Sequence, residues 1–223
     1  MTLPINQIIC GDCLEVMRGW PDNCVDLVLT DPPYGMNFVS NYRLVKYNKI
    51  VGDNQFPVWI FEEFKRIAKR AYYIFCRWDN LGSFPKPKSV LAWVKNNWSM
   101  GDLSHEHGRQ WEAICFYAQS EHKFIKRIPD VIKGDRTGNE LHPTQKPLSV
   151  MSQIIKANVG NIILDPFCGS GTTCVAAKML GRSYIGIDIS DEYCQIARER
   201  LRAVDTGVPV KEARAGQIGL FGD

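Results

Sequence analysis

The run Val25-Asp26-Leu27-Val28-Leu29-Thr30 is patterned as a buried strand and stops abruptly at Asp31-Pro32-Pro33-Tyr34-Gly35. Proline fixes its own φ and pushes the residue before it into extended backbone, so Pro32 and Pro33 make a stiff turn with Asp31 held extended. A carboxylate, free backbone carbonyls and one aromatic face are thereby fixed at a strand's C-terminal end. That set suits a flat ring bearing an amine: the carboxylate and a carbonyl accept the amine's hydrogens while the tyrosine stacks on the ring. The bland alternative is a strand-ending turn, where aspartate and proline are common for conformational reasons alone.

A second segment weighs against the bland alternative. Ile162-Ile163-Leu164-Asp165 reads as a short buried strand, followed by Pro166-Phe167-Cys168-Gly169-Ser170-Gly171-Thr172-Thr173 and a helical pattern from Cys174 to Leu180. Gly181 stops that helix, and Ser183 to Ile187 forms another apolar strand ending at Asp188. Strand, glycine-rich turn, helix, strand and acid, with the acid about 20 residues beyond the glycines, is the layout of a mononucleotide-binding half of a doubly wound sheet. The glycines allow close backbone approach, and Asp188 is placed to take ribose hydroxyls. A phosphate site fits less well, because there is no third spaced glycine and no Gly-Lys-Ser/Thr. An adenosine ligand without phosphates, such as S-adenosylmethionine, suits the segment better.

Together, Asp31-Pro32-Pro33-Tyr34 and Asp165-Pro166-Phe167-Cys168-Gly169-Ser170-Gly171 resemble the S-adenosylmethionine-dependent DNA amino-methyltransferases. The order, tetrapeptide first and glycines late, resembles the circularly permuted β group. Gly11-Asp12-Cys13, ahead of the Val25 strand, and His142-Pro143-Thr144-Gln145-Lys146-Pro147, ahead of a helix, match as well. The likeness spans residues 6–34, 50–79, 111–118 and 140–202. It implies catalytic roles for Asp31, Pro32, Pro33 and Tyr34, and S-adenosylmethionine as cofactor. By the same resemblance Asp12 and Cys13 approach the cofactor's adenine, and Asp31, Asp165, Phe167, Cys168, Gly169 and Gly171 shape its pocket. Asp188 binds the ribose, and Thr144 and Lys146 close over the methionine carboxylate. Asp12 as a turn acid and Lys146 as a solvated lysine are the structural alternatives.

The family's N6-adenine members typically begin the tetrapeptide with aspartate and its N4-cytosine members with serine. The resemblance therefore implies N6 methylation of a flipped adenine in double-stranded DNA, of the restriction–modification kind, with N4-cytosine methylation as the alternative. A catalytically silent cofactor-binding DNA module is a third reading; it is expected to have lost Asp31 or Tyr34, and both are present. The family's target-recognition region is reduced here to a short segment between Ala118 and His142. Loops at 35–56, 95–110 and 119–141 are the expected DNA contacts, with Arg43, Lys46, Lys49, Lys123, Lys126 and Arg127 as phosphate ligands. So small a reader implies a short recognition site or a second subunit, hence a homodimer.

The elements that must position these groups are legible in the pattern. After Pro57, Trp59, Ile60, Phe64, Ile67 and Ala68 mark an amphipathic helix, followed by a strand from Ala71 to Cys76. Val90–Val94 and Glu112–Ala118 read as further strands, the latter in an antiparallel hairpin. Pro147 suits the first position of a helix with Leu148, Met151, Ile154 and Ile155 on its apolar face. Ser190 caps a final helix, and the tail from Asp205 shows no periodicity. The fold class expected is α/β: a doubly wound, mostly parallel sheet in one domain over residues 1–204, with a mobile tail over 205–223.

Composition sets the outer limits. With 223 residues the chain suits one α/β domain, and its net charge is only +3. The charge is uneven: residues 1–40 sum to −4, 41–76 to +4, 77–150 to +3 and 151–223 to zero. The positive excess follows the Asp31 turn directly, where Asn41 to Lys49 interleaves three bases with two tyrosines. No apolar run is long enough to span a bilayer and no charged-then-apolar leader is visible, so a cytoplasmic, reduced location is expected. The eight cysteines are scattered; Cys10-x-x-Cys13 lacks a second pair at zinc spacing, and His105 and His107 sit in a polar loop, so no metal site is expected.

Overall fold

The computed structural model describes residues 2–35, 56–99, 104–105, 107–135 and 145–207. Eight strands form one sheet: β1 (Gln7–Cys10), β2 (Val25–Thr30), β3 (Ala68–Cys76), β4 (Ser89–Ser99), β5 (Arg109–Ala118), β6 (Val131–Lys133), β7 (Ile162–Asp165) and β8 (Ser183–Asp188). Their order is β1-β8-β7-β2-β3-β5-β4-β6. Among them β5 alone runs against the rest, pairing antiparallel with β3 and β4. The mostly parallel, doubly wound sheet with an antiparallel hairpin is as the sequence predicts. Strands β1 and β6 are not predicted; both are short edge strands, too brief to show a period.

Helices cover both faces. On one side α1 (Cys13–Met17) and α2 (Ile60–Ile67) bury Met17, Ile60, Phe64 and Ile67 against Val28, Ile74 and Leu164. On the other, α3 (Leu148–Ala157), α4 (Thr172–Met179) and α5 (Asp191–Thr206) pack Met151, Ile154, Ala176 and Leu201 against Leu27, Phe75 and Ile163. Lys65 and Arg66 in the last turn of α2, with Glu62 and Glu63 in its first, favour the helix dipole. Ser190 caps α5 by accepting from Tyr193 N–H, as expected. Two expectations need correction. Pro147 is the N-cap of α3 rather than its first residue, because ψ of 136° keeps it extended. Asp205 belongs to α5, where it pairs with Lys178 at 2.5 Å; residues 208–223 lie outside the described chain. No helix among the described residues is long and apolar enough to cross a membrane.

The strands carrying the two motifs are neighbours. β2 and β7 run parallel, with Leu27 opposite Ile163 and Val28 opposite Leu164. Asp26 fastens the lower end of this seam. Its carboxylate accepts from Asn161 N–H (2.7 Å) and Ile162 N–H (3.0 Å), and from Arg70 Nε on β3 (3.1 Å). Burial pushes the Asp26 carboxyl up, but the two amides and Arg70 outweigh it and hold the group below the usual carboxylate range. Its contribution is therefore present above the unfolded pKa and is lost as pH falls through the carboxylate range. Asp26→Ala is expected to lower stability by about 3 kcal/mol at neutral pH and to flatten the acid end of the stability curve, both read from urea titrations across pH.

Candidate active site

At the upper end of the same seam the two motifs are joined by a buried hydrogen bond. Thr30 Oγ1 donates to Asp165 Oδ1 at 2.7 Å, and Phe167 N–H donates to the same oxygen at 3.2 Å. The proline turn after β2 and the glycine turn after β7 therefore open into one cleft. Asp31, Lys146, Asp165, Phe167, Gly169 and Ser170 are among the residues that line it. Strand connections diverge here, since β2 leads by way of α2 to β3 on one side and β7 through α4 to β8 on the other. Such a crevice is where open α/β sheets bind ligands.

Asp31 is held from two sides. Tyr34 OH donates to Oδ1 at 2.5 Å, and Lys146 Nζ donates to Oδ2 at 2.5 Å. Lys146, just before α3, is only 6% exposed, so it is a buried cation and not a solvated one. Its ammonium also lies 3.2 Å from Glu112 Oε2 on β5 and 3.3 Å from Tyr34 OH. Glu112 in turn accepts from Lys95 Nζ on β4 at 2.5 Å. Burial pushes Asp31 up and Glu112 pushes it further, against Lys146, leaving it above its ordinary value. Burial also raises Glu112, but Lys146 and Lys95 prevail and draw it down to about 2. For Lys146, burial lowers the pKa while Asp31 and Glu112 raise it, and the balance keeps it protonated.

The glycine turn is shaped by backbone that side chains would block. Gly171 has φ of +79°, and a Cβ there would lie 2.8 Å from Ala197 Cβ on α5. Arg200, also on α5, donates from Nη1 to Ser170 O (2.6 Å), Ser170 Oγ (3.1 Å) and Thr172 Oγ1 (3.1 Å), clamping the turn from behind. Asp188 ends β8 and accepts from Gly169 N–H (2.8 Å) and Ser190 N–H (2.9 Å), one on each oxygen. Each oxygen keeps a further lone pair, the acceptor capacity a ribose diol needs. The donor set and the close-approach glycines fit an adenosine-bearing cofactor.

Most of the predicted site residues converge. Asp31, Pro32, Pro33, Tyr34, Lys146, Asp165, Phe167, Gly169, Gly171 and Asp188 gather at the C-terminal ends of β2, β7 and β8. Asp12 and Cys13 follow β1 beside Asp188, whose carbonyl accepts from Gly11 N–H at 2.9 Å. Asp12 Oδ1 is the N-cap of α1, accepting from Leu14 N–H and Glu15 N–H. Burial, then Asp12, pushes the Cys13 thiol up to about 12. Cys168 is buried and lines the cleft, its Sγ 3.1 Å from where a Cβ on Gly186 would stand.

Lys123, Lys126 and Arg127 are not brought to this end. β5 runs away from the cleft, so the chain leaves it at the opposite end of the strands. There Ile125 N–H donates to Ala157 O at the distal end of α3. Arg43, Lys46, Lys49 and Thr144 lie outside the described residues. Residues 95–99 and 109–110, predicted as loop, extend β4 and β5 beyond the catalytic end and expose Trp98 and Trp111. The sequence reading missed Glu112, Lys95 and Arg200. The available signal was a charge at an inward position of an alternating strand: Lys95 after Leu91 and Trp93, Glu112 before Ile114 and Phe116.

A family model described as DNA methylase matches residues 93–199. A putative methylase, YubD of Escherichia coli (strain K12), is 31% identical over 218 residues, covering 90% of this chain and 92% of that protein. The chain belongs to the DNA methylase family. The Type II methyltransferase M.HpaI of Haemophilus parainfluenzae is 29% identical over 234 residues, covering 87% of this chain and 74% of that one. Among solved structures, the M1.HpyAVI–SAM complex superposes with a TM-score of 0.66 at 28% identity, covering 87% of this chain and 99% of the other. The PvuII DNA methyltransferase, cytosine-N4-specific, gives the same TM-score at 14% identity, over 93% of this chain and 89% of that one, a likeness of fold alone.

Asp165 offers a test of the joined turns. Burial raises its carboxyl to about 6, against the hydroxyl of Thr30 and the amide of Phe167. A folded pKa above the unfolded one contributes stability that is complete below about pH 4 and lost as pH rises through about 6. Asp165→Asn keeps an acceptor oxygen and removes the charge. It is expected to abolish that loss, on the order of 2–3 kcal/mol, in denaturation series run between pH 4 and 8.

Proposed function

We propose that the chain is an S-adenosylmethionine-dependent methyltransferase that modifies the N6 amine of adenine in double-stranded DNA, with Asp31-Pro32-Pro33-Tyr34 as its catalytic turn. The observation that carries this reading is the shared cleft: the Asp31 carboxylate and the glycine turn open into one space, tied by the Thr30–Asp165 hydrogen bond. Asp188, Phe167, Gly169 and Gly171 hold the cofactor beside Asp31, with Asp12 and Cys13 toward its adenine. When bound, S-adenosylmethionine supplies an electrophilic sulfonium methyl.

An exocyclic amine is a poor nucleophile because its lone pair is delocalised into the ring. Asp31 and the Pro32 carbonyl accept its two hydrogens and hold the nitrogen where the lone pair localises. Fixed acceptors in a dry site accelerate the step by orientation and electrostatics, and no covalent enzyme intermediate is required. Tyr34 stacks on the extruded base and offsets part of the cost of unstacking. Aspartate at the head of the tetrapeptide supports adenine over cytosine. DNA contact falls to the stretch after the turn and to the projecting β4–β5 hairpin with Trp98 and Trp111. A second copy of the chain, in a homodimer, supplements the short reader.

Nucleoside mass spectrometry of duplex DNA incubated with the protein and cofactor is expected to find N6-methyladenine. N4-methylcytosine alone overturns the choice of base, and no modified nucleoside overturns the function. Within the turn, Tyr34→Trp is expected to keep appreciable transfer, whereas Tyr34→Ala loses roughly 1–3 kcal/mol of stacking. Equal rates for the two variants contradict the assigned role of Tyr34.

A further inference from the structure

Both oxygens of Asp31 are engaged in this structure, Oδ1 by Tyr34 and Oδ2 by the Lys146 ammonium. Resting on the reading above, an incoming amine needs one of them. Lys146 competes for it as a like group, since an amine gaining a methyl is itself a nitrogen cation bearing hydrogens. A buried ammonium leaves one carboxylate only if another is within reach. The second carboxylate is Glu112, whose Oε2 is already 3.2 Å from Nζ. Its other oxygen is pinned by Lys95 at 2.5 Å, which directs Oε2 at Lys146. Two carboxylates and two ammonium groups alternate, Lys95–Glu112–Lys146–Asp31, and their charges cancel.

We infer that Glu112, held by Lys95, is a positioning residue: it seats the Lys146 ammonium and so determines whether an Asp31 oxygen is open to the target amine. The β4–β5 hairpin carries neither the tetrapeptide nor the glycine turn, yet it enters the chemistry through this seat. Without the Glu112 charge, Asp31 is the carboxylate among the described residues still paired with Lys146, and the ammonium stays on the oxygen the substrate requires. The charged and titratable groups around Asp31 are Tyr34 on its own turn, Lys146 before α3, Glu112 on β5, Cys76 at the end of β3 and Asp165 on β7, with Lys95 behind Glu112. Of these, Glu112 pushes the Asp31 carboxyl up and Lys146 pulls it down.

The test is single-turnover methyl transfer to duplex DNA by the full chain at saturating S-adenosylmethionine, across pH 5 to 9, with thermal melting of each variant. Glu112→Gln is expected to slow transfer about tenfold or more and to move the acid limb of the rate profile to lower pH. Glu112→Asp, which restores the charge, is expected to recover part of the rate. The Lys95→Gln/Glu112→Gln double variant removes one charge of each sign, keeps the native melt and shows the same slow transfer even if Glu112→Gln alone misfolds. Wild-type rates in Glu112→Gln or in the double variant overturn the inference, as does slow transfer with an unmoved acid limb and no recovery in Glu112→Asp. Tyr34→Ala run alongside separates the two levels. If it too transfers at the wild-type rate, the turn is not the site; if it is slow while Glu112→Gln is normal, the Glu112 role alone fails.

Discussion

The parallel register of β2 and β7 is the constraint on which the site depends. Each strand is only four to six residues long, and each ends in a turn that its own sequence makes stiff. A slip of one residue in either would turn the Thr30 hydroxyl away from Asp165 and exchange core-facing for outward-facing side chains. Asp26 at the lower end and the Thr30–Asp165 hydrogen bond at the upper end hold the seam against such a slip. Two segments 134 positions apart, Asp31 and Asp165, are thereby made neighbours at one topological switch. The antiparallel hairpin then brings Glu112 within 3.2 Å of Lys146, from strands that carry no part of either motif.

Electrostatically the cleft sets the buried Asp31 carboxyl, held above its ordinary value, against a buried ammonium. Burial alone favours a neutral Asp31, and the Lys146 ammonium opposes it. That ammonium is in turn kept charged by the two carboxylates around it. Pairing rather than solvation holds all four charges, which is why removing one member is felt through the others. Tyr34 and Lys146 occupy the two Asp31 oxygens, one of which a target amine takes up. On the cofactor side Arg200, a partly buried cation, satisfies three oxygens of the glycine turn.

What the sequence made legible was local in origin. Asp31-Pro32-Pro33-Tyr34 and Asp165 to Gly171 announce their geometry through proline stiffness and glycine freedom, and Asp188 through its distance from the glycines. The fold class followed from alternating strand and helix patterns around them. Two features were hidden because they depend on where the chain goes. Lys123, Lys126 and Arg127 form a basic cluster in the sequence, but β5 delivers them to the end of the sheet away from the cleft. Glu112 read as an ordinary strand charge and Lys95 as part of a loop until the hairpin placed Glu112 beside Lys146 with Lys95 behind it. Asp12 carries a motif position and yet serves as a helix cap through Oδ1, so its two readings coexist in one carboxylate.

The central claim is that two separable functions, holding the cofactor and accepting the amine, meet across one strand seam. A double dissociation tests it most directly, by calorimetric cofactor titration paired with single-turnover transfer on the same two variants. Asp188→Ala is predicted to weaken S-adenosylmethionine binding by about 1–3 kcal/mol and to regain most transfer at saturating cofactor. Asp31→Ala is predicted to bind cofactor nearly as the parent does and to transfer almost nothing at any concentration. Normal transfer by Asp31→Ala, or unchanged cofactor binding by Asp188→Ala, would contradict the account.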